Sequence, residues 1–184
     1  MKRKVSYFLL FLLPAVFFFK KFQGKEEQPD YVKISSEIMA EYINDINMTY
    51  GVSCYGSGGS FLDNVKMISL SFSASNMNLS IDQSRIMIVN AVESLLKRVN
   101  DDERIHPYLE HFPFSSRGIK ISFSFHNNKG ERVSEEFVAY ASTDEKGRVF
   151  YSGYDHKAEK FKDLHQETYE EALRIVREQG RLAS

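Results

Sequence analysis

The residue pattern predicts an α+β domain: an antiparallel sheet of about five strands with helices packed on one face, in the order α-β-β-α-β-β-β-α, after an N-terminal apolar helix. Apolar side chains recur every three to four residues in three stretches, and the spacing drops to two in the segments between them. Strands and helices do not alternate one for one, which argues against a parallel sheet covered on both faces.

The first helix follows from Tyr31, Ile34, Ile38, Tyr42 and Ile46, which share one face, and Gly51 ends it. In the second, Ser80 and Gln83 form a capping box, while Ile81, Ile88, Val89, Val92, Leu95, Leu96 and Val99 line one side and Asp101 to Glu103 mark its exit. Thr168 and Glu171 open a third, which buries Tyr169, Ala172, Leu173 and Val176 and stops at Gly180.

Period-two alternation of Ile68, Leu70 and Phe72 with Ser69, Ser71 and Ser73 gives one strand, and Ile119 to Phe125 gives another of the same kind. A short strand around Val52 to Tyr55 is expected to pair with Val65 to Ser73 across a loop holding Gly56, Gly58 and Gly59. Turns at Asn127 to Gly130 and Asp144 to Gly147 introduce strands around Phe137 to Ser142 and Arg148 to Tyr154, so the last three strands form an antiparallel meander.

At the front, Lys2, Arg3 and Lys4 precede an uncharged run from Val5 to Phe19 that Lys20 and Lys21 close. Leaving its leucines and phenylalanines in water would forgo about 1.5 to 3 kcal/mol for each, so a bilayer or the export machinery is expected to receive residues 5–19. As a helix the run is about 22 Å long, short of a hydrocarbon core of about 30 Å, but its flanking lysines extend the span and no small-residue cleavage pair follows. The expectation is a signal anchor with the domain on the extracytoplasmic side; the alternatives are a secreted or periplasmic chain after signal cleavage, and a core helix. The chain then divides into residues 1–21 (leader), 22–30 (linker), 31–180 (domain) and 181–184 (tail).

A net charge of −1, with acids and bases interspersed, supplies no field to recruit nucleic acid. The single cysteine, Cys54, excludes an internal disulfide. The histidines (His106, His111, His126, His156 and His165) do not share a helix face at ligand spacing, so neither a metal nor any other cofactor is expected.

The most unusual string is Gly56-Ser57-Gly58-Gly59-Ser60 after Tyr55, a candidate ligand or partner loop. It lacks the Lys-Ser/Thr ending of a phosphate loop, the third glycine of a dinucleotide fingerprint, and the glycine two places before a nucleophilic Ser57. A hairpin loop with glycines at positive φ is the plain alternative. Cys54 is read as a small buried hydrophobe or as a nucleophile, and the serine faces of Ser69, Ser71, Ser73, Ser122 and Ser124 as solvated surface or as a flat platform for glycan or peptide.

The strings Tyr50-Gly51 through Gly56-Ser57-Gly58-Gly59, Pro107-Tyr108-Leu109, Phe112-Pro113-Phe114 and Glu167-Thr168-Tyr169-Glu170-Glu171-Ala172 resemble a group of small uncharacterised proteins with apolar N-termini from intracellular bacteria. The resemblance covers most of the chain after the linker and carries no catalytic motif. It implies a bacterial protein that is membrane-associated or exported. The expected function is a membrane-tethered module that binds a protein or envelope component; the alternative is an exported hydrolase using Ser57 or Cys54 with a histidine brought near by folding.

Overall fold

The computed structural model describes residues 28–183, so the apolar run at 5–19 lies outside the described residues. Three long helices and six strands form an α+β domain: α1 (Asp30–Tyr50), β1 (Ser53–Ser60), β2 (Met67–Ser75), α2 (Ile81–Asp101), β3 (Ile119–His126), β4 (Tyr140–Thr143), β5 (Arg148–Asp155), β6 (Lys160–Thr168) and α3 (Tyr169–Glu178). Two short 3-10 turns, His106–Tyr108 and Ser116–Gly118, lie between α2 and β3.

All six strands form one sheet in the order β1-β2-β3-β4-β5-β6. Two expectations are corrected. The sheet is mixed rather than purely antiparallel, because β2 and β3 run parallel. Parallel neighbours need a long crossover, and α2 supplies it. There are also six strands rather than about five, since β6 completes the sheet beyond β5. Its sequence hides it: Lys160, Lys162 and Asp163 lie on a mostly exposed edge, and a register shift opposite Tyr151/Ser152 breaks the alternation.

The helices form where stripe and cap coincide. Ser80 accepts the backbone N–H of Gln83, and the Gln83 side chain accepts that of Ser80, closing the capping box of α2. Thr168 accepts the Glu171 N–H at the start of α3. Gly51, at φ 65°, turns α1 into β1. The C-terminal residues are held to α2, with Asn90 donating to the Arg181 carbonyl at 3.0 Å and accepting from the Ala183 N–H at 2.9 Å.

All three helices lie on the sheet face that carries Phe72 and Phe123. The Tyr42 ring of α1 meets Phe72 at 6.4 Å, and its hydroxyl donates to the Ala91 carbonyl of α2 at 2.6 Å. Helix α2 contacts β3 and β4, and α3 contacts β5 and β6. Ile68, Leu70, Phe72 and Ala74 of β2 are fully buried, as are Ile119, Ile121, Phe123 and Phe125 of β3.

Past the end of α2, Arg104 grips both oxygens of Asp102 at 3.0 and 2.8 Å and reaches Glu37 of α1 at 2.9 Å. The guanidinium's hydrogen bonds outweigh partial burial and hold the Asp102 carboxyl below the usual carboxylate range. A depressed acid contributes stability above its unfolded pKa, near 3.9, that is lost as pH falls through the folded value. Carboxyl resonances followed by NMR should therefore show Asp102 titrating below the ordinary range, and Arg104→Gln should return it there.

Candidate functional site

The second face of the sheet carries no described helix, and its side chains fall into rows set by strand register. One row crosses all six strands as Gly56, Ser71, Ser122, Ser142, Phe150 and Gln166. The next runs Ser53, Ser73, Ser124, Tyr140, Ser152 and Asp163. On the other side of the first row, Gly58, Ser69 and Lys120 stand in line. Because side chains alternate along a strand, Ser69, Ser71 and Ser73 of β2 and Ser122 and Ser124 of β3 turn their hydroxyls to this face, the two β3 serines nearly buried at 3% and 7% exposure.

The hydroxyls are joined to one another and to bases. Ser122 donates to Ser71 at 3.0 Å, Arg132 donates to the Ser124 hydroxyl, and Ser73 and His126 Nδ1 are 3.4 Å apart. Burial, with the Arg132 guanidinium nearby, pulls the His126 imidazole below its usual range, so His126 is uncharged at neutral pH. Toward β6 the face turns aromatic. Phe161, 45% exposed, lies 5.9 Å from Tyr140 and 5.4 Å from Tyr154, with the Arg132 guanidinium 4.9 Å above its ring.

The glycine-rich string is strand and not loop: Gly56 to Ser60 belong to β1, the sheet's outer strand, and the hairpin turn comes after them. None of its glycines has a positive φ. Gly59 is required by crowding, since a Cβ there would sit 2.2 Å from the Met67 carbonyl oxygen and 2.4 Å from the Phe61 ring. Gly58 would meet nothing within 4 Å, and Gly56 only ordinary contacts at 3.6 Å. The fold itself does not require glycine at 56 or 58, where it costs about 0.5–1 kcal/mol of strand stability; a strand glycine of this kind suits close approach by something outside. Gly58→Thr should raise stability by about 0.5–1 kcal/mol and Gly59→Ala should lower it by about 1–3 kcal/mol, both read from urea unfolding.

A second site was not legible in the sequence. Arg85 of α2 donates to Glu167 of β6 at 2.7 Å and also pairs with Asp82, and the Tyr151 hydroxyl donates to the same Glu167 oxygen at 2.7 Å. The Arg85 and Glu167 side chains are 8% and 4% exposed. Burial pulls the Arg85 pKa down, but the hydrogen bonds and charges of Glu167 and Asp82 more than offset this and hold it above its ordinary value. Burial and the Glu167 carboxylate raise the Tyr151 phenol, which stays protonated. His165 stacks on Tyr151 with centroids 5.9 Å apart, its Nε2 3.6 Å from Glu167. Arg85 and His165 line a cleft of about 640 Å³ with Asp82, Glu135 and Glu136. The available signal was Arg85 standing on the buried stripe of α2, four residues after Ile81 and three before Ile88.

The proposed nucleophiles are not gathered with a base. The Cys54 thiol donates to the Gly56 carbonyl at 3.3 Å, and Ser57 is exposed on the outer strand. Among the described residues no histidine hydrogen-bonds either one. His106 contacts the Asn100 carbonyl at 2.8 Å, His156 the Val133 carbonyl at 2.9 Å, and His111 is exposed. No group of three or more His, Cys, Asp or Glu among the described residues is arranged to hold a metal ion. No described helix is long and apolar enough to cross a membrane. Comparison with protein families, with curated proteins and with solved structures finds no match for this chain.

Proposed function

We propose that the chain is a membrane-tethered binding module, anchored through residues 5–19, that presents the open face of its sheet to a glycan of the cell envelope. The observation that supports this reading most is the pair of six-residue rows, in which one glycine and a run of hydroxyls lead to the rings of Tyr140 and Phe150, with the hydroxyl of Ser152, the amide of Gln166 and the carboxylate of Asp163 beyond them. A sugar ring needs both halves: its C–H faces lie on aromatic rings while its hydroxyls exchange hydrogen bonds with side chains such as Ser152, Asp163 and Gln166. Glycines at 56 and 58 keep the β1 end flat enough for an extended chain to lie across it. A domain held on the extracytoplasmic side, as the resemblance to apolar-leader proteins of bacteria implies, would stand beside such a polymer.

Co-sedimentation of the full chain, in detergent, with purified murein sacculi, chitin and cellulose tests the reading. Retention by at least one is expected, and Gly58→Arg combined with Phe161→Ala should lower the retained fraction at least tenfold while the chain stays fully folded at the assay temperature. Absence of retention, equal retention of the variant, or retention by sacculi only while their stem peptides are intact would overturn a glycan ligand.

A further inference from the structure

The open face holds a cation fixed in place without a counterion. Six arginines among the described residues meet a carboxylate within 4.0 Å. Arg132, half-buried, meets none among those residues, yet three contacts position it. Its backbone bridges His126 at the end of β3, its Nη1 donates to the Ser124 hydroxyl, and its guanidinium lies 4.9 Å over the Phe161 ring. The other N–H groups of the fork have no acceptor among the described residues. Its surroundings do not neutralise it: Ser73 and Ser124 are hydroxyls, Tyr140 and Phe161 are rings 5.9 Å apart, and His126 is uncharged at neutral pH. Asp163, two residues along β6 from Phe161, is exposed and pairs with no cation among the described residues.

We infer that the glycan taken by the open face is an acidic one, and that Arg132 receives the carboxylate of one of its sugars. The inference rests on the glycan reading and adds the class of polymer. A ligand lying across Ser124, Tyr140 and Phe161 takes water from the guanidinium among them. Covered by a neutral sugar, that charge would be buried with no partner, which is costly. A carboxylate supplies the partner, in the two-pronged geometry that a guanidinium fork fits. Stacking on Phe161 and the bond to Ser124 hold the fork beforehand, so little freedom is lost when the anion arrives. With the C–H face of a sugar on Tyr140, the substituents of that ring reach toward Arg132, while Asp163 stays an acceptor for hydroxyls. One guanidinium beside a neutral imidazole offers a single positive charge, which matches one carboxylate. An acidic peptide would meet Arg132 as well, but it brings no run of hydroxyls for the serine rows and Gln166.

Titration calorimetry on the full chain in detergent compares two oligomers of equal length and the same β-1,4 linkage, one of glucose and one of glucuronic acid, which differ only in the carboxylate at C6. At low salt the acid should bind about tenfold or more tightly than the glucose oligomer. Arg132→Gln, with the chain still folded by circular dichroism, should remove that preference, and Arg132→Lys, which keeps the charge without the fork, should retain part of it. Lys120→Gln, on the same face, should leave it intact. An acid that binds no better than its neutral counterpart overturns the inference; whether the glucose oligomer or the insoluble polymers are still held then decides separately whether the glycan reading stands. A preference that survives Arg132→Gln, or equal affinity for a glutamate oligomer of matching charge, overturns it too, the first by removing Arg132 and the second by removing the sugar.

Discussion

Glu167→Leu is expected to destabilise the fold by about 3–5 kcal/mol, because it leaves the Arg85 guanidinium buried with only the solvent-facing Asp82 for a partner. The same change strands the Tyr151 hydroxyl, which is fully buried and donates to Glu167. Domains of this size hold about 5–15 kcal/mol in all, so the melting temperature should fall by roughly 10–15 °C. Replacing both charges, Arg85→Met with Glu167→Leu, should recover most of the loss, since two well-packed apolar side chains avoid the desolvation cost that an unpaired ion cannot. Urea unfolding of the single and double variants gives the comparison; a double variant as damaged as the single one would mean that packing, and not the stranded charge, sets the cost.

Phe123→Ala should cost a similar amount, about 3–5 kcal/mol, through a different mechanism. Phe123 lies on central strand β3 with no exposed surface, its ring stacked 5.4 Å from Phe72 and 6.2 Å from Phe125. Neighbours on rigid strands cannot close the gap, so the loss contains both the transfer of the ring and the cavity left behind. Phe123→Leu keeps most of the volume and should cost no more than about 1.5 kcal/mol. Because Ser122 and Ser124 flank this residue on the other face, unfolding of the alanine variant should proceed together with loss of the hydroxyl rows.

Elements with an uninterrupted local signal were legible in the sequence. The stripes of α1, α2 and α3 and the capping serine and threonine place the helices within a residue or two of their observed starts, because cap chemistry is decided by neighbours in the chain. Strands β2 and β3 were legible for the same reason, yet their parallel pairing was not. Parallel strands are ordinarily buried on both faces and lack polar alternation, whereas here serine every second residue imitates an antiparallel strand with one wet face. Strand β6 was missed because an edge buries little, and with it went Glu167, whose role depends on meeting an arginine 82 residues away. The glycine string was singled out correctly as unusual but assigned to a loop, since glycine spacing alone does not separate positive φ from a flat strand.

Amide chemical shifts of the domain, followed as a soluble β-1,4-linked N-acetylglucosamine oligomer is added, test the open-face reading most directly. The expected result is saturable movement of Ser69, Ser71, Ser122, Tyr140, Ser152 and Phe161, with the helix layer unmoved. Movement confined to the cleft beside Arg85 and His165, or no movement at all, would contradict it.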